Sequence, residues 1–182
     1  MNRSTVDKLI SYTGLTLAVV LLAASVALFW TYNFIHSQVH DQMAAEKIYF
    51  PTAGTKSITS LPQPDQEKVA RYAGQQLTTG AQAEVFADHY IAVHLKEIGG
   101  GKTYSELSAA SIADPTNAKL AGQVQTLFRG EALRGMLLNA YAFDTMAVVA
   151  RYAAAGALAA GLLLIVLSLL GFRHAKAAAR RR

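Results

Sequence analysis

The chain has no cysteine in its 182 residues, which excludes disulfides, thiolate metal centres and thiolate nucleophiles. Charge is scarce as well: Asp, Glu, Lys and Arg together make 16% of the chain, where a soluble domain carries about a quarter. Of only four prolines, three fall between Pro51 and Pro64, so most of the remaining sequence is free to be helical. Strand-like alternation of useful length is missing, and no internal repeat of fixed period stands out. The expected fold class is all-α.

What the chain has instead is apolar residues, 52% of the total, gathered into two runs. Tyr12 to Ile35 is 24 residues without Asp, Glu, Lys, Arg or His. As a helix it would cover roughly 36 Å, enough to cross a bilayer with some tilt. Tyr152 to Phe172 is a second uncharged run of 21 residues, bounded by Arg151 and Arg173. The first run continues through Leu28, Phe29 and Trp30 beyond the small residues near Ser25, longer than the apolar core of a cleaved signal. An uncleaved anchor is therefore expected, and the chain reads as two transmembrane helices with a helical extracytoplasmic domain between them.

The basic residues set the expected orientation. Residues 1–11 carry Arg3 and Lys8 against Asp7, and residues 173–182 carry Arg173, Lys176, Arg180, Arg181 and Arg182 with no acid. By the positive-inside rule both termini are cytoplasmic and residues 36–151 lie outside a bacterial plasma membrane. That outer segment holds ten Lys or Arg and eleven Asp or Glu, so the net charge of +5 resides in the flanks and does not point to nucleic acid. The Arg180–Arg182 run reads as a topology signal with a solvated tail, short of the four to eight basic residues usual for a lipid-binding cluster. Trp30, Tyr32, Tyr12 and Phe172 sit near span ends, where interfacial aromatics belong.

Within 36–151 the first helix is expected to run on through Lys47 and stop at Tyr49-Phe50-Pro51, followed by an irregular loop to Pro64. Asp65 is expected to cap a helix to about Leu77. Thr79 with Gln82 and Thr103 with Glu106 read as capping boxes, opening helices from Ala81 to Ile98 and to about Ala113. Asp114-Pro115 reads as the start of one long helix running into the second span, bent near Gly130 or Gly135.

Several side chains invite a chemical reading. His36 and His40, four apart, share a helix face and could ligate a metal together; His89 and His94, five apart, point to different faces. The two pairs, with Glu46, Glu84 or Asp88, are the metal candidates, though nothing in their spacing fixes a complete ligand set. Haem between the spans is disfavoured because neither uncharged run holds a histidine, and proton-coupled transport because neither holds a carboxylate. Gly99-Gly100-Gly101-Lys102-Thr103 lacks the first glycine and preceding strand of a phosphate loop and reads as a helix stop followed by a cap. In the second span Ala153, Ala157 and Gly161, with Gly156 and Ala160, form a small-residue face suited to close helix packing within or between chains.

The stretches Tyr49-Phe50-Pro51, Tyr72 to Gly80 (YAGQQLTTG), His94-Leu95-Lys96-Glu97, Asp114-Pro115-Thr116-Asn117 and Leu127-Phe128-Arg129-Gly130-Glu131 resemble a family of small two-span actinobacterial membrane proteins. Some of its members carry a ring-opening dioxygenase label. The resemblance extends over nearly the whole chain and implies a bacterial plasma membrane. A facial-triad oxygenase would need two histidines and a carboxylate converging beside an enclosed cavity.

The leading expectation is a non-enzymatic integral membrane protein that works by assembly, as a homo-oligomer, a scaffold or an accessory subunit of a larger membrane complex. Its partners are the lipid bilayer and other copies or subunits, with no nucleic acid and no cofactor. A small oligomeric channel is the first alternative and an extracytoplasmic metal-binding protein or metalloenzyme the second.

Overall fold

The structure is a computed structural model that describes residues 3–180. Arg181, Arg182 and the side chain of Arg180, which belong to the basic run, lie outside the described residues. The helices are α1 (Arg3–Glu46), α2 (Lys56–Thr59), α3 (Gln63–Ala70), α4 (Gly80–Val85), α5 (Ala92–Ile98), α6 (Tyr104–Ala113) and α7 (Ala118–Arg180), with a π-helical turn at Phe86–Ile91 joining α4 to α5. No strand forms among the described residues; an isolated antiparallel bridge pairs Tyr49 with Gln76. Two helices, α1 and α7, are long and apolar enough to cross a membrane. The chain divides into two compact units, one of Met1–Phe34 with Met146–Arg182, the other Ile35–Thr145.

The first unit is an antiparallel helix pair held along a seam of small residues. On α1 the seam residues are Ser4, Ser11, Ala18 and Ser25, and on α7 they are Ala147, Ala154, Gly161, Ser168 and Ala175, each set recurring every seventh position. Ala18, Ala147 and Ala175 are at most 1% exposed, and Ser11, Ser25, Ala154, Gly161 and Ser168 are also buried. A strict seven-residue period keeps a seam facing its partner when two helices wind gently around each other, and small side chains let the backbones approach closely. Two cross-helix hydrogen bonds fix the register: Ser4 Oγ donates to Ala175 O at 3.2 Å and Ser25 Oγ to Ala154 O at 2.9 Å. Glycines stand opposite seam serines, whose hydroxyls would have to turn away to admit a Cβ. A Cβ on Gly14 would lie 2.6 Å from Ser168 Oγ, and one on Gly171 2.2 Å from Ser11 Oγ.

The second unit builds its core from Phe50, Ile58, Leu61, Val69, Leu77, Phe86, Leu95, Leu107, Leu127 and Leu137 around Val39 and Met43 of α1. Phe50 sits at its centre, 2% exposed, edge-on to Phe86 at 5.1 Å and tilted against Tyr72 at 5.3 Å. The chain reaches that position because α1 ends at Glu46, where Lys47 turns to φ 53°. The Ala44 carbonyl near its end accepts from the Lys47 N–H at 3.2 Å and from the Gln76 side-chain amide at 2.8 Å. Phe50 N–H then donates to Gln75 O, and Leu77 N–H to Ile48 O, both at 2.9 Å. Pairing of these short segments closes the loop over α2 and α3.

Both capping boxes form, Thr79 with Gln82 and Thr103 with Glu106. The loop before Pro64 contains the short helix α2, and α3 starts at Gln63 and stops at Ala70, well before Leu77. Asp65 is not its cap: Pro62 holds the cap position, and Asp65 lies inside the first turn with its carboxylate in a tertiary contact with His89. Asp114 ends α6 and does not open α7. Asn117 caps α7 instead, its Oδ1 accepting from Leu120 N–H at 3.0 Å, while Asp114 accepts from the Thr116 and Asn117 side chains. From Ala118 the helix is uninterrupted through Gly130 and Gly135. Gly130 is needed for contact: a Cβ there would lie 2.3 Å from Leu95 Cδ2.

Candidate functional site

The titratable side chains of the second unit fall into three clusters. The most buried centres on Asp144, whose side chain is 12% exposed. The His36 Nδ1–H donates to its Oδ1 at 2.8 Å and the Gly80 N–H to its Oδ2 at 3.2 Å. Asp144 thus sits at the start of α4 and satisfies a backbone donor that the helix leaves open. The approach requires glycine at position 80, since a Cβ there would lie 2.4 Å from Asp144 Cβ.

The second cluster centres on His89. Its Nδ1–H donates to Asp65 Oδ1 at 2.7 Å, and its Nε2 accepts from Lys68 Nζ at 2.8 Å, with Glu84 Oε1 at 4.0 Å. The ring is thus held between a carboxylate on its Nδ1 side and an ammonium on its Nε2 side. A carboxylate behind Nδ1 is the orientation that metal-binding histidines use, but here a lysine ammonium occupies the outward nitrogen.

The third cluster is the neighbouring Asp88, which takes Arg134 Nη2 at 2.8 Å and Nε at 3.2 Å. This paired hydrogen bond raises the Arg134 guanidinium above its ordinary range, and the Glu131 carboxylate, 3.4 Å from Nη1, adds to the effect. Asp88 and His89 both lie in the π-helical turn. The extra residue of that turn shifts the helical phase, so that adjacent polar side chains reach Arg134 and Asp65 while Phe86 and Ile91 stay buried.

The four candidate histidines each engage a different partner. His36 bonds to Asp144 and His89 to Asp65. His40 meets its exposed neighbour Asp41 at 3.1 Å. The Nδ1–H of His94 donates to Tyr90 O at 2.8 Å, and its ring lies 4.5 Å from that of Tyr90. Among the described residues no three His, Asp or Glu side chains gather as a metal-binding group. No local sequence pattern marks Asp144 as the partner of His36, or Asp65 and Lys68 as the partners of His89; the signal for Asp144 is a single acid placed between apolar turns of a helix.

In the helix pair the small-residue face divides. Gly161 is buried against Leu22 and Ala18, and Ala157 is half-buried. Ala153, Gly156 and Ala160 face away from α1, and a Cβ on Gly156 would meet nothing within 4 Å. Polar side chains of the spans are turned onto backbone: Thr16 and Thr31 hydroxyls donate to carbonyls four residues back at 3.0 Å, and the Asn33 amide does so at 2.8 Å. At one end of the pair Tyr12 meets Phe172 edge-on at 4.9 Å. At the other, the Arg151 guanidinium lies 5.3 Å from the ring centres of both Tyr32 and Tyr152.

Compared with protein-family models, curated proteins and solved structures, the chain matches none.

Proposed function

We propose that this chain is a non-enzymatic integral membrane protein of a bacterial plasma membrane that acts through assembly, as a homo-oligomer, a scaffold or an accessory subunit of a larger membrane complex. The observation that carries the reading is the pair of aromatic belts. Tyr12 and Tyr32 are separated by twenty residues of unbroken helix, about 30 Å, the thickness of a bilayer's hydrocarbon core. Between the belts the surface is apolar and uncovered: only 11% and 17% of the most apolar windows of α1 and α7 are buried within the chain. A soluble core helix would be mostly covered, whereas lipid accepts such a surface. The basic flanks support a topology with both termini cytoplasmic and residues 36–151, including the clusters around Asp144 and His89, outside.

Assembly is supported by the outward face of Ala153, Gly156 and Ala160, free of contact with α1. Small residues exposed to lipid gain little there, but they let a helix of another subunit approach closely. A channel is less well supported, because Thr16, Thr31 and Asn33 spend their polar atoms on their own helix.

The test is the mass of the intact particle in mild detergent, with elemental analysis of the same sample. A defined multiple of the 19.5 kDa chain, or a fixed stoichiometry with another subunit, is expected. A monomer carrying stoichiometric metal would overturn the reading in favour of a metal protein.

A further inference from the structure

The face of α7 opposite its buried residues keeps a strict period. Within the second unit Gln125, Phe128, Ala132, Gly135, Asn139 and Ala142 follow one another at alternating steps of three and four residues. Ala132 is partly exposed and the other five are exposed, whereas Leu127, Leu137 and Asp144 on the other side of the helix are buried. The same register continues in the first unit through Met146, Val149, Ala153, Gly156 and Ala160 and ends on Leu163, Leu167 and Leu170, all exposed. No member of this row is charged. A seven-residue period marks a helix that winds against another helix, and neither lipid nor water requires it.

Two features of the second-unit part set the row apart from a lipid-facing surface. On the membrane reading residues 36–151 lie in water, yet Phe128, beside Tyr104, is 54% exposed, and Met136 and Phe143, which flank Gly135 and Ala142, are 66% and 51% exposed. Water, unlike lipid, penalises such a row. Asn139 lies within it, and its amide makes no hydrogen bond among the described residues. The steps of three and four put Phe128, Gly135 and Ala142 at d positions and Gln125, Ala132 and Asn139 at a positions. An asparagine at a is the residue that fixes register and strand number in parallel two-stranded coiled coils.

We infer that α7 pairs with α7 of a second copy of this chain, parallel and in register, with each Asn139 amide hydrogen-bonded to its own counterpart. Three arguments select a second copy over a different protein. Two copies inserted in one direction present α7 in parallel, the orientation in which an a-position asparagine meets itself. A two-fold axis along the membrane normal sets every position of the row opposite its own kind, and with no charge in the row this brings no repulsion. The area also suffices. From Gln125 to Leu170 the row is about 68 Å long on a helix roughly 10 Å wide, so pairing covers about 1,400 Å² in total, within the range of stable interfaces. The inference names the partner for the assembly proposed above and rests on that reading.

The experiment is disulfide cross-linking of the full chain in native membranes, in a sequence that has no cysteine of its own. Ala132→Cys, Gly135→Cys and Asn139→Cys place single thiols on the row, and at Gly135 an added Cβ meets nothing within 4 Å. Thr126→Cys and Tyr141→Cys place them at exposed positions on other faces of α7. A disulfide needs Cα atoms within about 7 Å of each other, which like positions of a parallel pair reach only along the seam. On oxidation with copper phenanthroline, positions 132, 135 and 139 are expected to give a product of twice the chain mass at least fivefold more than positions 126 and 141. Uniform cross-linking, a maximum at 126 or 141, or a product formed with a different protein would overturn the inference. Asn139→Asp, which sets two carboxylates against each other, should lower the yield of Gly135→Cys at least fivefold, while Thr126→Asp should leave it unchanged. A yield insensitive to Asn139→Asp would also overturn it. Particle mass in mild detergent separates the two levels: a multimer without this cross-linking pattern refutes the α7 pairing and leaves assembly standing, whereas a monomer without cross-links refutes both.

Discussion

Replacing Gly161 and Gly156 separately by leucine distinguishes the inner seam of the helix pair from its outer face. At Gly161 an added Cβ would lie 3.1 Å from Leu22 Cγ and Cδ2 and 3.3 Å from the Ala18 carbonyl oxygen. Leu22 can give a few tenths of an ångström, but the backbone of α1 cannot, and the rest of the leucine side chain must then push the helices apart. Overpacking of this kind costs ~1–3 kcal/mol. The gain in helix propensity from removing glycine returns about 0.8 kcal/mol, leaving a net loss of about 0.2–2 kcal/mol. At Gly156 the added side chain meets no neighbour within 4 Å, so only the propensity gain applies and the pair should be stabilised slightly. The two variants therefore move in opposite directions, although both lie on α7 within the same apolar run. Reversible unfolding in mixed micelles on addition of sodium dodecyl sulfate, followed by far-ultraviolet circular dichroism, reads the difference. Equal destabilisation by both substitutions, or a larger loss at Gly156, would refute the seam as the contact that holds the pair. Particle mass supplies the second reading: Gly156→Leu should reduce the oligomer while sparing the chain's own fold.

Other outcomes follow from the second unit. Asp144→Ala strands the Gly80 N–H at the start of α4 and should cost ~1–3 kcal/mol, with hydrogen exchange at Gly80 accelerating more than at the Thr103 cap. Asp144→Asn keeps one acceptor and should cost less. Glu106 is held below the ordinary carboxylate range by the Thr103 N–H, then by its hydroxyl. Because the folded value is the lower one, the contribution is present above the unfolded carboxyl range and disappears as pH falls through the folded value. Protection of the Thr103 amide should therefore drop on acidification, and Glu106→Gln, which retains a capping acceptor, should abolish that pH dependence.

The sequence was most informative where the signal is local or one-dimensional. The two apolar runs, the Thr79 and Thr103 capping boxes and the glycine stop at 99–101 are each decided by residues within a turn of one another, and the structure has them in place. Local pattern and structure part where a local signal competes with a distant partner. Asp65 looks like a cap beside Pro64, yet its carboxylate is engaged by His89, and Asp114 closes one helix where the Asp-Pro pair suggests the opening of another. Side-chain clusters were less legible still, because Asp144 with Gly80 and Asp88 with Arg134 join residues more than forty positions apart.

Four-residue spacing, as in Ala153, Ala157 and Gly161, describes neighbours on a straight helix. The seam that forms follows a seven-residue spacing through Ser11, Ala18 and Ser25 and through Ala154, Gly161 and Ser168, continuing beyond the uncharged runs at both Ser4 and Ala175. That period was present in the sequence and is diagnostic of paired helices. Its polar members hid it, since serine in a span reads as an exception until its hydroxyl is seen bonded to the facing backbone.

The most direct measurement of the central claim is side-specific labelling of single introduced cysteines, made simple by a chain that has none of its own. Cysteines at positions 54 and 119 and at positions 5 and 177 would be probed in intact cells with a membrane-impermeant maleimide, and again after lysis. The account predicts labelling of the first two in intact cells and of the last two only after lysis. Labelling of all four in intact cells, or of one terminal position but not the other, would contradict a chain that crosses the membrane twice and returns both ends to the cytoplasm.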